Sequence, residues 1–257
     1  MVGQDGGVFV FPEGQSGGFY GSLPGIGVKV NDIVGMVGSP DDRGYFLVGA
    51  DGGVFAFGDA PFLGSLPGLG IPIDDVSAIA STVDGQGYLL VDRHGGVYAF
   101  GDAQFEGSLP AWGVTTSDVV GVAVTPSGDG YWLVGSDGTV YAFGDATYAG
   151  SITAVGAPVS DIVATGAGQG YWIATTDGGV AAFGNARFYS SLPAFDVTPA
   201  EPIMGLVPTK DRDGYWLIGS DGGVFTFGDA SYLGSLPGLN LNVSNIVGAV
   251  ETSYRTS

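Results

Sequence analysis

Short apolar runs alternate with turns rich in glycine and aspartate along the whole chain. In one copy of this pattern the runs are 118–124 (DVVGVAV), 131–135 (YWLVG), 139–143 (TVYAF) and 147–151 (TYAGS). Runs of this length, rich in β-branched and aromatic residues and bounded by Gly, Pro and Asp, are typical of β-strands. The pattern therefore predicts four short strands in each copy, and their consecutive apolar residues indicate strands buried on both faces.

The pattern repeats six times along the chain. A phenylalanine closes the third run of each copy, at Phe11, Phe57, Phe100, Phe143, Phe183 and Phe227, so the spacings are 46, 43, 43, 40 and 44 residues. Four strands in a period of about 43 residues match one blade of a β-propeller. The sequence therefore predicts an all-β protein: a six-bladed β-propeller with four antiparallel strands per blade.

The two ends of the sequence are in phase with a closed ring. The first residues align with a second strand, and 245–250 align with a first strand, so we expect the last strand to complete the first blade and remove two unpaired edges. We interpret residues 1–257 as a single propeller domain. Small residues recur at one position of the first strand and fit its crowded innermost place: Gly35, Ala78, Gly121, Ala164, Gly205 and Gly248. The fourth spacing, from Phe143 to Phe183, is three residues shorter than the usual 43. This alignment places the missing residues just before 168–172 (GQGYW).

One copy of the repeat resembles repeats of known protein families. The segment 130–146, GYWLVGSDGTVYAFGDA, resembles tandem repeats of secreted bacterial proteins of actinobacterial type, which are often attached to cell-wall enzymes or adhesins. It is also similar, more loosely, to the hairpin of pyrroloquinoline-quinone-type propellers, from which no cofactor site is carried over. The first resemblance implies an extracellular or cell-wall-associated propeller. The sequence does not begin with a signal peptide, which would have a charged region followed by an apolar one. We therefore expect these residues to be a piece of a longer secreted chain.

The amino-acid composition limits the kinds of molecule that the protein is expected to bind. Only 7 Lys and Arg stand against 26 Asp and Glu, which gives a formal net charge of −19. Such a chain repels phosphate backbones, so we expect no nucleic-acid partner, and it contains no apolar run long enough to insert into a membrane. The absence of cysteine excludes disulfides, thiolate nucleophiles and cysteine metal sites. We expect a monomer that binds a protein or a glycan ligand.

Two sets of acidic residues have a structural interpretation. The Asp-Gly pairs between the second and third runs predict two-residue type I′ turns, in which both residues need positive φ. The first positions of these turns are Asp51, His94, Asp137, Asp177 and Asp221, so the single histidine is interpreted as a turn residue rather than a general base. The aspartate of the FGDA motif is expected to hold its own loop by accepting backbone N–H groups, at Asp59, Asp102, Asp145 and Asp229.

A third acidic set is the candidate metal site. It precedes the first strand of the repeats and comprises Asp32, Asp75, Asp118, Asp161 and Asn245. In a propeller these positions lie near the channel mouth, where converging carboxylates would repel one another unless a cation such as Ca²⁺ neutralised them. The alternative is that each side chain caps its own loop.

The loops before the first strands carry one recurring apolar residue, at Ile26, Leu69, Trp112, Val155, Phe195 and Leu239. Recurrence favours a structural plug beneath the loop. Trp112 and Phe195 are larger than the others and could instead form a stacking platform for a sugar or a peptide. The tryptophans of the GYW motif are interpreted as core between blades.

No set of residues assembles an acid, a base and a nucleophile, so the sequence favours a non-catalytic protein. The leading interpretation is an extracellular binding or scaffold module that presents its ligand site on the top-face loops and the channel mouth. A multivalent carbohydrate-binding lectin is one alternative. A hydrolase or lyase that acts on polysaccharide with a channel cation is the other.

Overall fold

The computed structural model describes residues 1–11, 18–154 and 156–251, and their regular structure is almost entirely β. Seventeen strands form one two-stranded and five three-stranded antiparallel sheets. In chain order the strands are β1 (Val2–Gly3), β2 (Ile33–Gly38), β3 (Gly44–Gly49), β4 (Val54–Gly58), β5 (Val76–Ser81), β6 (Gly87–Asp92), β7 (Val97–Gly101), β8 (Val119–Val124), β9 (Gly130–Gly135), β10 (Val140–Gly144), β11 (Val159–Ala164), β12 (Gly170–Thr175), β13 (Val180–Gly184), β14 (Ile203–Pro208), β15 (Gly214–Gly219), β16 (Val224–Gly228) and β17 (Ile246–Gly248). The described helices are short 3₁₀ turns, at Pro24–Ile26, Pro67–Leu69, Pro110–Trp112, Pro193–Phe195 and Pro237–Leu239. None of them approaches the length and apolarity that crossing a membrane requires.

Each three-stranded sheet is one copy of the repeat, with the sequential order first, second and third strand. The second strand lies in the centre and is buried along its whole length in four of the five sheets. Its aromatic residues meet those of the neighbouring repeat; Trp132, for example, packs on Tyr171 with ring centroids 5.5 Å apart. Trp132 and Trp172 thus lie in the core between sheets, as Phe46 and Leu89 do at the same position, whereas Trp216 is only partly buried.

The two ends of the described chain meet in the sixth sheet. Strand β1 pairs with β17 in antiparallel register, with Val2 opposite Gly248 and Gly3 opposite Ile246. Phe11 also packs beside Gly234, where an added Cβ would lie 2.8 Å from the phenylalanine ring. The first and last copies therefore contact each other much as neighbouring copies do, and six sheets fit the predicted blade count.

The run that was predicted as a fourth strand lies outside the strands of the described sheets. Residues 147–151 have no strand partner, and the same holds for the corresponding runs of the other described repeats. Their backbone groups are bound instead by a buried tyrosine from the second strand of the next copy. In the fourth copy the N–H of Ala149 donates to the hydroxyl of Tyr171 at 3.1 Å, and that hydroxyl donates to the carbonyl of Gly150 at 2.6 Å.

This tyrosine bridge occurs five times in the described chain. The tyrosines Tyr45, Tyr88, Tyr131, Tyr171 and Tyr215 donate to the carbonyls of Gly21, Gly64, Gly107, Gly150 and Ser190, respectively. Each hydroxyl also accepts the N–H of the residue before its acceptor. Burial raises the pKa of Tyr131 to about 12, so the hydroxyl stays protonated and available as a donor.

The Asp-Gly turns differ from the prediction. The glycine has positive φ, +74° at Gly52, but the aspartates are absent from the described non-glycine residues with positive φ, so the type I′ assignment is wrong for Asp51, Asp137, Asp177 and Asp221. Each aspartate instead accepts the N–H of the residue two positions later, as Asp51 does from Gly53 at 2.7 Å. An Asx turn of this kind fixes the first position without left-handed backbone.

His94 occupies the equivalent turn position, also without positive φ. In this copy the carboxylate of Asp92 performs the capping and accepts the N–H groups of His94 and Gly96 at 2.9 and 2.8 Å. The imidazole itself contacts the carbonyl of Thr116 at 2.6 Å and a carboxylate oxygen of Asp75 at 3.4 Å. These contacts hold together the turn and the segment before β8.

The FGDA aspartates hold a different loop from the predicted one. Each accepts a hydrogen bond from the buried hydroxyl that follows the first strand of the same sheet: Ser39 for Asp59, Thr82 for Asp102, Thr125 for Asp145 and Thr209 for Asp229. Asn185 accepts the equivalent bond from Thr165. The aspartate thereby ties the turn after the third strand to the turn between the first two strands.

The tyrosine bridge can be tested with Tyr131→Phe. We expect this change to lower the free energy of unfolding by about 2 kcal/mol, because the N–H of Glu106 and the carbonyl of Gly107 lose their partner. The measurement is urea denaturation followed by tryptophan fluorescence. Tyr148→Phe is the control, since that exposed hydroxyl donates to Ser151 alone among the described residues and its loss should cost less than about 0.5 kcal/mol. Equal effects of the two changes would contradict the bridge.

The acceptor position of the bridge generates a second prediction. Its φ lies between +128° and +138° at Gly21, Gly64, Gly107, Gly150 and Gly234, but the fifth copy carries Ser190 at +125°. A side chain is strained there, so Ser190→Gly should raise the free energy of unfolding by about 1 kcal/mol. The reverse change, Gly64→Ser, should destabilise, because its Cβ would lie 2.8 Å from the ring of Phe100. A destabilising Ser190→Gly would show that strain does not limit this position.

Candidate functional site

The first strands of all six copies surround a central cavity of about 360 Å³. Its wall is built from the inner edges of β2, β5, β8, β11, β14 and β17, and most of the lining side chains are small or aliphatic. The lining includes the small-residue position of the repeat, at Gly35, Ala78, Gly121, Gly205 and Gly248. The cavity is therefore the axis of the six-sheet arrangement.

Asp161 lies in this wall and not before the strand, so its sequence assignment was wrong. It is the third residue of β11 and pairs with Ala174, just as Gly121 pairs with Val134 in β8. Asp161, rather than Ala164, thus occupies the small-residue position of the fifth copy, the one that Phe183 closes. The position before the strand belongs to Pro158, whose carbonyl accepts the N–H of Thr176 as the carbonyl of Asp118 accepts that of Ser136.

The physical reason is the place of the three-residue shortening. It falls in the segment 145–158 and not beside 168–172, and the described part of this segment contains no 3₁₀ turn, unlike the other connecting segments. The first strand of the fifth copy, β11, therefore begins earlier. An alignment anchored on the later tyrosine could not distinguish the two placements, because either one preserves the spacing after it.

The Asp161 carboxylate is held by backbone groups of two neighbouring copies. One oxygen accepts the N–H of Ile162 at 2.8 Å, and the other accepts the N–H of Leu206, in β14, at 3.0 Å. Burial raises the pKa of Asp161 to about 7, although these two N–H donors favour the ionised form. The residue lines the cavity and is partly exposed, and its carboxylate lies beside β14, with one oxygen 3.4 Å from the Cβ position of Gly205.

The remaining members of the predicted metal ring do not converge. Asp75 contacts His94, Asp118 accepts the hydroxyl of Thr116, Asp32 lies beside the turn at Gly49, and Asn245 lies beside Gly3. Among the residues that the structure describes, no three Asp, Glu or His side chains lie close enough to share one metal ion. The structure therefore does not bring together the side chains of the predicted calcium site.

The recurring apolar residue of the connecting segments is a surface residue. Ile26, Leu69, Trp112, Phe195 and Leu239 are each more than half exposed, so the interpretation as a buried plug is wrong. Val155 lies outside the described residues. The plug is a leucine three positions earlier, which is almost fully buried at Leu23, Leu66, Leu109, Leu192 and Leu236.

A second exposed position in the same segments is aromatic in every copy. It comprises Phe19, Phe62, Phe105, Tyr148, Phe188 and Tyr232, all more than half exposed. The tyrosine of the sixth copy lies along its own segment, with its hydroxyl 3.0 Å from that of Ser235 and 3.4 Å from the Cβ position of Gly238, next to Leu239. The sequence contained the signal, since an aromatic residue stands seven positions before the apolar residue in each copy, but it was interpreted only as part of a strand.

The exposed ring of Trp112 is held in place by a buried aromatic ring. Its ring stacks on that of the buried Phe143, with centroids 4.2 Å apart and planes 28° apart, while more than half of the side chain stays exposed. Phe195 lies over Phe227 in a similar orientation, with centroids 6.4 Å apart. Trp112 is thus held by a stacked ring while most of its side chain is exposed, which suits a stacking platform better than the looser pair of Phe195 and Phe227.

Comparisons with known proteins support the fold. No protein-family model matches the chain, and no curated protein matches it. Solved structures do match, among them the β-propeller domain of Cps50 (Swd1) from Myceliophteria thermophila, with a TM-score of 0.54 and 14% identity over 80% of this chain and 68% of that one. At this identity the likeness shows the fold alone: the chain is a β-propeller.

Asp161 predicts a specific pH dependence of stability. Its pKa is about 7 in the folded protein and about 3.8 without the fold, so the folded state binds more protons between these values and stability falls as pH rises through them. We expect the loss between pH 4 and pH 8 to be on the order of 1–4 kcal/mol smaller in Asp161→Gly than in the unchanged protein. Two cationic side chains lie around this strand: Arg93 lines the same cavity, and Arg212 donates to the carbonyl of Ala164.

The measurement is urea denaturation of both proteins at several pH values in that range. Other titrating groups affect the two proteins alike, so the difference between their curves isolates Asp161. Parallel curves would contradict the raised pKa.

Proposed function

We propose that this β-propeller is a non-catalytic extracellular binding module whose connecting segments present a repeated apolar surface to a protein or glycan ligand. The observation that supports it is the pair of exposed positions, one aromatic and one apolar, that recurs in the segments. Eleven such side chains are more than half exposed in the described residues. Exposed apolar side chains that form one patch mark interaction sites on soluble proteins, and in the sixth copy Tyr232 reaches Gly238, next to Leu239.

The finer description of the fold belongs to this proposal. We infer a closed ring of six blades in which the connecting segment supplies the outermost, fourth layer of each blade and residues 1–257 form one domain. The pairing of β1 with β17 and the contact of Phe11 with Gly234 support closure. The resemblance of 130–146 to repeats of secreted actinobacterial-type proteins supports an extracellular or cell-wall location.

A multivalent lectin is the alternative that one observation favours. Aromatic rings recur in all six copies at Phe19, Phe62, Phe105, Tyr148, Phe188 and Tyr232, so a ligand with a repeated unit could contact several equivalent sites at once. Linked weak sites reach high overall affinity because each later contact is intramolecular. Glycan polymers have such repeated units, and an uncharged sugar is not repelled by a surface with a net charge of −19.

The test is a glycan array followed by calorimetry on each glycan that binds. We expect Trp112→Ala to weaken binding about tenfold, because a stacked ring contributes roughly 1 kcal/mol or more beyond its buried area. Val83→Ala is the matched control: Val83 is also 60% exposed, but it lies in the turn between β5 and β6, away from the connecting segments. Equal effects of the two changes would contradict the assignment to the segments.

Stoichiometry separates the two functions. Several equal weak sites per chain favour the lectin, whereas one site per chain favours a module with a single ligand. If no glycan binds, the lectin is excluded. The next experiment is then crosslinking in an extracellular fraction with the unchanged chain and with Trp112→Ala. If the unchanged chain captures no protein more strongly than the variant does, the proposed binding module is contradicted as well.

A further inference from the structure

The cavity at the axis has the dimensions of a small-molecule site. Its volume of about 360 Å³ lies in the range of ligand pockets, roughly 300–1,000 Å³. Aliphatic and thioether side chains form much of its wall, including Met36, Val122, Met204 and Leu206. Only two charged residues line it, Asp161 and Arg93.

Asp161 is the one charged residue at its position of the repeat. The other five copies carry glycine or alanine there, at Gly35, Ala78, Gly121, Gly205 and Gly248. These copies form their sheets without a carboxylate, so the fold does not require one. Burying a carboxylate among these side chains also costs free energy, which its two backbone hydrogen bonds offset in part and a bound cation would offset further.

We propose that the cavity binds a small organic cation, an ammonium group on a short alkyl chain, with the ammonium on Asp161 and the alkyl chain against the aliphatic wall. Each carboxylate oxygen accepts one backbone N–H, at 2.8 and 3.0 Å, and an ionised carboxylate has about four acceptor sites in all. The two backbone bonds fix the carboxylate and leave acceptor sites for the ligand. The net charge of −19 attracts cations toward the molecule.

Arg93 does not neutralise this site. Its side chain belongs to an exposed residue at the turn after β6, whereas Asp161 lies within β11 in the wall. Water screens an exposed charge far more than an enclosed one. The pKa of Asp161 is set by burial and by its two backbone N–H donors, and the charge of Arg93 does not contribute to it.

The experiment uses methyl NMR of the whole protein labelled with ¹³C-methyl methionine. The chain has three methionines. Met36 and Met204 line the cavity, and Met1 does not. The probe is butylammonium chloride at pH 8, and 1-butanol is the uncharged probe of matched size. We expect saturable shifts of the Met36 and Met204 methyl signals with butylammonium, at least tenfold weaker apparent affinity for butanol, and a stationary Met1 signal.

The control variant is Asp161→Gly, which introduces the residue that most other copies carry and should therefore fold. Butylammonium affinity should fall at least tenfold in this variant, and the unchanged Met1 signal and tryptophan fluorescence verify the fold. Asp161→Asn, which keeps one acceptor oxygen but no charge, should fall similarly. Affinity should also fall at pH 5.5, where the carboxyl is protonated while the probe keeps its charge.

Three results would overturn the proposal. They are equal shifts with butanol and butylammonium, shifts that persist unchanged in Asp161→Gly, and no shift of either cavity methyl with any probe concentration that leaves the protein folded. None of these results depends on whether the connecting segments bind a glycan or a protein. The proposed function and this site can therefore fail separately.

Discussion

The buried tyrosine hydroxyl of the second strand is the contact on which the arrangement of the repeats depends. A hydroxyl without a partner in this core would cost free energy, and its nearest available partners belong to the preceding copy. Tyr171 satisfies both the N–H of Ala149 and the carbonyl of Gly150, so one side chain performs the role that a strand partner would perform. Successive copies are thereby joined by directional bonds as well as by apolar burial, and each connecting segment is fixed to the next sheet.

A second contact explains why two separate motifs recur together. The glycine of each Asp-Gly turn lies against the buried leucine of the connecting segment; a Cβ on Gly52 would lie only 2.5 Å from the side chain of Leu66. The turn therefore needs glycine both for its positive φ and for this close approach. The leucine in turn anchors the segment whose next residues expose Leu69. Two motifs that look independent in the sequence are the two sides of one contact.

The sequence was sufficient for the repeat count, the three main strands and the core position of Trp132, because these depend on local pattern and strict spacing. It was insufficient wherever a side chain reaches another copy or another turn. The strand predicted at 147–151 is displaced by Tyr171, and the Asp51 turn uses a side-chain acceptor instead of left-handed backbone. The burial assigned to Ile26 and its equivalents failed because a nearby leucine fills that place, and pattern alone cannot distinguish neighbouring apolar residues.

Misplacing Asp161 had the largest consequence for function. A three-residue deletion can be placed on either side of a strand without changing the later spacing, and only the pairing of Asp161 with Ala174 resolves it. Among near-equal copies, a feature present in every copy suits the fold or a repeated ligand. Asp161 occurs once, and the other five copies form their sheets without a carboxylate at this position. The exposed aromatic side chains and the single cavity carboxylate therefore support two separate proposals: a repeated or extended partner for the aromatic side chains, and one small molecule for the carboxylate.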